Sequence, residues 1–127
     1  TPIHVSRSAE FLKRYMHKIN LGEYAQLAAH MVHFTGYEIA IENIQMPDKK
    51  WQILGQMLGT ADLIAQMSDR CYLEKCRDRL YPEFVLGGMA VAIDDQGNET
   101  VIYSSGEDLL IKTPAFYANE VENRLNI

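Results

Sequence analysis

A chain of 127 residues has room for one domain around one core. Hydrophobic content of 47% with 23% charged residues is a globular composition and excludes a disordered one. The net charge of −5, with no evident basic face, argues against nonspecific nucleic-acid binding. It leaves small anionic ligands open, because a bound metal reverses the local field.

No apolar run approaches the roughly 20 residues of a membrane span. Cys71 and Cys76 stand five apart on an expected helix, so their side chains diverge. That spacing suits neither a metal motif nor a disulfide. With no signal-like segment, it points to a reducing, cytoplasmic setting. The opening Thr-Pro-Ile-His reads as a helix cap with Pro at the first helical position. A chain opening in this way is expected of a processed or truncated piece, and loss of an initiator Met explains it equally.

Residues 2–19 read as an amphipathic helix, with Val5, Ala9, Leu12, Met16 and Ile19 in one stripe and Arg7, Glu10, Arg14 and Lys18 opposite. Gly22 is its expected C-cap. A second helix is predicted over 23–34, buried through Tyr24, Leu27, Ala28, Met31 and Phe34, and ended by Gly36. Residues 37–45 fit a short helix or an extended link. Pro47-Asp48 opens a central helix to about Met67, carrying Trp51, Leu54, Leu58, Ala61 and Ala65. Gly55 and Gly59 weaken it by about 1 kcal/mol each relative to Ala, which predicts close approach of a neighbouring backbone.

Residues 70–80 are strongly helical, and Pro82 begins a further short helix. After Gly87-Gly88 the texture changes: residues 89–93, a polar loop over 94–98 and residues 99–104 predict a β-hairpin. Ser105 starts a last helical region, interrupted at Pro114 and ending near Leu125. The fold class expected is mainly α, a helical bundle with one hairpin near residues 89–104. All of 1–127 reads as a single domain, with a bundle over 1–85 and the hairpin and last helices, 86–127, packed on it.

Asp62 is the first candidate for chemistry. It shares a helical face with Trp51, Gly55, Leu58 and Ala65, and an acid at the edge of an apolar stripe needs a cation, a hydrogen-bond network or a function. It is a metal-ligating carboxylate or general base in one reading, and an Arg-paired helix-boundary acid in the other. His30 and His33 lie one helical turn apart, on the Gln26 side, so their rings can converge on a metal or else stand exposed. His4 lies at the edge of the first apolar stripe, near Ser8, Phe11 and Tyr15, as a ligand or a partly buried, hydrogen-bonded histidine. No phosphate-cradling Gly-rich loop, nucleophile elbow or dinucleotide fingerprint occurs.

The order of these motifs carries a resemblance. A His ahead of Val-Ser-Arg-Ser-Ala, then His-Met-Val-His-Phe-Thr-Gly-Tyr, then Leu-Gly-Thr-Ala-Asp-Leu-Ile-Ala-Gln-Met resembles, over residues 1–85, the HD superfamily of metal-dependent phosphohydrolases. The resemblance implies part of an α-helical HD bundle whose metal site takes a His, a His-Asp doublet and a distant Asp. Asp62 looks like that distant Asp, His4 like a further His of two-metal members, and His33 or His30 like the histidine of the following motif. The sequence departs in one respect: His4, His17, His30 and His33 are followed by Val, Lys, Met and Phe, so it holds no His-Asp doublet.

The implied function is phosphoester hydrolysis, of a nucleotide or another small phosphorylated molecule, at a divalent metal of unspecified identity. A chain supplying one of four basic ligands is expected to be inactive alone, with no metal firmly held. The alternative is a non-catalytic helical sensing or interaction module that has lost the metal site. Either way no membrane or nucleic-acid partner is expected, and a homo-oligomer is.

Overall fold

The computed structural model describes residues 3–125, and they are mainly helical with one small antiparallel sheet. Their contacts gather into two compact units, Ile3–Ala65 and the residues from Gln66 onward. Among the described residues no helix is long and apolar enough to cross a membrane.

In the first unit, helix α1 is His4–Lys18 and α2 is Ala25–Val32, flanked by 3-10 turns at Gly22–Tyr24 and His33–Thr35. The expected Thr1 cap and Pro2 lie outside the described residues. Ile3 occupies the N-cap position without a side-chain bond, and the first-turn amides are taken by Glu38 instead. At the other end, the left-handed residue after α1 is Asn20 (φ 60°), while Gly22 opens the next turn. Asn tolerates that conformation because its short side chain bonds locally.

α1 packs on α2 through small side chains. Val5 and Ala9 are buried on α1, and Ala25 and Ala29 on α2, which lets the two backbones approach. The expected Tyr24 stripe is therefore not the buried face: Tyr24 is exposed, and Leu27, Ala28 and Met31 are half-buried. Phe34 does lie in the core, at 1% exposure. Residues 37–45 form a link with one 3-10 turn, Ile41–Asn43.

Helix α3 runs Lys49–Met67, and Asp48 Oδ1 caps it by accepting from the Trp51 amide at 3.1 Å. Its buried positions are Gly55, Gly59 and Leu63, not the Leu54–Leu58–Ala61–Ala65 stripe. The glycines explain the difference. A Cβ at Gly59 would collide with the Phe34 carbonyl oxygen, and one at Gly55 with the Phe34 ring. Close backbone approach, expected from two costly helical glycines, is what the structure contains.

The second unit starts with α4, Tyr72–Lys75, a π-helical turn over Cys76–Leu80, and α5, Tyr81–Leu86. Pro82 offers no N–H to the Asp78 carbonyl, and the wider turn stands just before it. Strands β1, Val91–Ile93, and β2, Glu99–Val101, pair antiparallel in the register Val91–Val101, Ala92–Thr100 and Ile93–Glu99. Gly97 (φ 83°) turns the loop, and Asp94 fixes it by accepting from the Gln96 and Asn98 amides. Helix α6, Gly106–Phe116, continues through Pro114 rather than stopping there. A second π-helical turn, Tyr117–Val121, leads to α7, Glu122–Leu125.

Candidate functional site

Three of the four histidines and Glu38 meet around α1 and α2 in the first unit. Glu38 comes from the link after Gly36, where a Cβ would collide with Val5, so the chain passes tightly beside α1. Its carboxylate accepts from the Val5 amide at 2.6 Å, the Ser6 amide at 3.0 Å and Ser6 Oγ at 2.5 Å. His4 Nδ1 stands 3.9 Å away. Burial, with 12% of the side chain exposed, pushes the Glu38 carboxyl up; the Ser6 and Val5 hydrogen bonds and His4 outweigh it and hold the group below the usual carboxylate range. Glu38 thus acts as a cap delivered from 33 residues away.

One turn along, α1 and α2 enclose an open groove of about 260 Å³, lined by Ser6, Ala9, Glu10 and Lys13 on one side and Gln26, Ala29, His30 and His33 on the other. The Gln26 side of α2, expected to be either ligand-bearing or solvent-facing, therefore faces α1. Gln26 Nε2 and His30 Nε2 share a hydrogen bond at 2.7 Å. The His33 Nδ1 atom is buried with no hydrogen-bond partner. An imidazole nitrogen left buried without a partner is costly to maintain.

Asp62 sits half-buried on α3. It follows Gly55 by seven residues and Gly59 by three, so it shares the face on which Phe34 is seated, about 4.5 Å along the axis from Gly59. Phe34 directly follows His33 in the same 3-10 turn. The turn bearing His33 is thereby docked on the face bearing Asp62.

The sequence-predicted residues divide as follows. His30 and His33 come together in one groove, His4 goes to Glu38, and Asp62 lies on the face of α3 that receives the His33–Thr35 turn. Among the described residues, no three His, Cys, Asp or Glu side chains converge to hold a metal ion. Cys71 and Cys76 are free thiols, and burial pushes the Cys76 thiol up, away from thiolate chemistry. Asp69 bonds Lys75 rather than the adjacent Arg70.

Glu38, Lys13, Glu10 and Gln26 were not singled out from sequence. For Glu38 a signal existed: an acid set between Tyr37 and Ile39-Ala40-Ile41. Lys13, Glu10 and Gln26 gave none, since each looks like an ordinary solvated helix position.

No curated protein and no solved structure matches this chain. The Npun_R2479-like family matches residues 1–126, and the chain belongs to it.

Proposed function

We propose that this chain contributes to a metal-dependent centre that hydrolyses a small phosphorylated compound such as a nucleotide, with Asp62 as a carboxylate ligand and His33 as an imidazole ligand. The observation that carries the reading is the docking of the His33 turn on the Asp62 face, with His33 Nδ1 buried and unbonded. The motif order along residues 1–67 supports it. Lys13 and the second amide N–H of Gln26 supply donors in the same groove for phosphoryl oxygens, the Ser6 hydroxyl being engaged by Glu38. A divalent ion in such a centre would activate water and offset phosphoryl charge.

The donors present do not complete that centre. Catalytic zinc, for comparison, takes about three protein ligands. His30 Nε2 is occupied by Gln26, His4 stands beside Glu38, and the sequence holds no His-Asp doublet. No hydrolytic step is assigned to this chain alone. The setting we propose is cytoplasmic, supported by two free cysteines.

The same occupied donors favour a second reading, a helical sensing or interaction module without catalysis. Titration with Mn, Ni, Zn or Mg, followed through the His33 and Asp62 side-chain NMR signals, separates the two. The expected result is a joint response of both residues, lost in His33→Ala, with no turnover of p-nitrophenyl phosphate or nucleoside phosphates. Silence of both residues toward every metal leaves the interaction module. Robust turnover by the chain alone, abolished by Asp62→Ala, overturns the incomplete-centre reading.

A further inference from the structure

The face of α1 turned away from α2 carries an unusual surface. Helical spacing puts Arg7, Phe11, Arg14, Tyr15 and Lys18 on one side, opposite buried Val5 and Ala9. Phe11 and Tyr15 are 63% and 46% exposed, and their rings stack with centroids 6.0 Å apart. A stacked aromatic pair flanked by Arg7 and Lys18, and by an Arg14 that pairs with Glu10 at 3.9 Å, leaves apolar area in water and attracts an acidic, apolar partner.

The hairpin of the second unit has the opposite character. Its register puts Val91, Ile93, Glu99 and Val101 on one face. Ile93 and Val101 are 67% and 59% exposed, with the exposed carboxylates of Glu99 and Asp95 beside them. Charge divides the same way. Residues 3–65 hold six Lys/Arg and six Asp/Glu, whereas residues 66–127 hold six against eleven, so the second stretch carries the whole net charge of −5.

We propose that two copies of this chain associate reciprocally, the cationic, aromatic face of α1 on each copy docking on the acidic, β-branched hairpin of the other. Nucleic acid would satisfy the α1 face but leaves the acidic hairpin uncovered; a second copy satisfies both. A two-fold pair makes the contact twice, so each contact needs to supply only half of the roughly 800 Å² per partner of a specific interface. This inference does not depend on the metal-centre reading.

The test is a charge swap read by light scattering and sedimentation equilibrium. One variant carries Arg7→Glu with Arg14→Glu, and the other Asp95→Lys with Glu99→Lys; all four positions are exposed. The wild type is expected to be a dimer whose dissociation constant rises about tenfold from low to high salt. Each variant alone is expected to be monomeric, and an equimolar mixture to recover the dimer, because both contacts are then again between opposite charges. Phe11→Ser, with far-UV circular dichroism as the folding control, is expected to weaken the dimer without reversing charge. A wild type that stays monomeric at about 100 μM overturns the proposal, and so does docking of α1 on its own hairpin. A dimer indifferent to both swaps, or swapped variants that fail to recover it on mixing, also overturns it.

Discussion

Residues 3–65 and the residues beyond Gln66 bury few large side chains, and they stay together by different means. In the first unit the contacts are close approaches at small residues: Gly36 against Val5, Gly55 and Gly59 against Phe34, and alanines between α1 and α2. In the second, polar ties join short elements. Tyr81 Oη donates to the Ser104 carbonyl at 3.0 Å, and Lys112 Nζ to the Ile102 carbonyl at 2.6 Å and to Asp108 at 2.9 Å. Asp108 also accepts from the Ser104 amide. Gly106, where a Cβ would lie 2.9 Å from the Arg77 carbonyl, is a close approach of the first kind in this unit. The lesson is that the first unit closes on its smallest residues, whereas the second adds polar ties to a small apolar core of Cys76, Ala90, Leu109 and Val121.

The comparison is broken most directly at Phe34. Phe34→Ala removes the largest side chain at the centre of the first unit and is expected to cost about 3–5 kcal/mol. Trp51, the sole tryptophan, lies on α3 and reports that unit by fluorescence during denaturant unfolding. A loss below about 1 kcal/mol would show that the ring is not packed as described. Next is Gly59→Ala. In an ordinary helix this change gains about 1 kcal/mol. Here the new methyl meets the Phe34 carbonyl, so the sign reverses, with an expected loss of about 1–3 kcal/mol. A stabilised Gly59→Ala protein would refute the close approach.

How far these features were legible in the sequence depends on the kind of force involved. The mainly helical class, the hairpin and the reason for the α3 glycines follow from periodicity and local propensity, and the structure contains them. The buried faces of α2 and α3 do not follow. Periodicity pointed to Tyr24 and to Leu54, Leu58, Ala61 and Ala65, because larger apolar residues look like core. The buried positions are Ala25, Ala29, Gly55 and Gly59. Where two backbones must meet, the smallest residues sit innermost, and hydropathy alone does not mark them. Pro114 misled in a related way: α6 absorbs it just before a π-helical turn, whereas Pro82 stands in the first turn of α5 as expected. Within the candidate site, the His30–His33 pair was visible as an i,i+3 spacing. The groove it shares with Glu10 and Lys13 of α1, and the Glu38 cap, arise from long-range packing that no local pattern encodes.

Glu38 brings charge into the unit that closes on its smallest residues. Glu38→Gln keeps the shape but exchanges a carboxylate acceptor for a neutral amide at the α1 amides, with an expected loss of about 1–2 kcal/mol at neutral pH. The Glu38 carboxyl titrates lower in the folded chain than in the unfolded one. Its contribution is therefore complete above the ordinary glutamate range and fades as pH falls through that range and below it. Asp69, Asp94 and Asp108 are shifted in the same direction, chiefly by hydrogen bonds from Lys75, Asn98 and Lys112, and add to the same acid-side slope. The variant is expected to be destabilised at neutral pH and to lose part of that deficit at about pH 4, within the range where the glutamate of the unfolded chain takes up its proton. Equal losses at both values would assign Glu38 a packing role only.

The smallest expected effect makes the contrast sharpest. Ser105 caps α6 through its hydroxyl, which accepts from the Asp108 amide at 3.1 Å. Ser105→Ala leaves that amide to water, and a lost serine cap costs about 1 kcal/mol. No proton is bound or released at the hydroxyl, so the loss is expected to be the same at neutral pH and at about pH 4. The Glu38→Gln loss shrinks over the same interval. Denaturant midpoints of the two variants at the two pH values therefore separate a neutral cap from a charged one. If the Ser105→Ala loss also fades with acid, the hydroxyl acts by holding the Asp108 carboxylate toward Lys112, and the α6 cap belongs with the charged contacts instead.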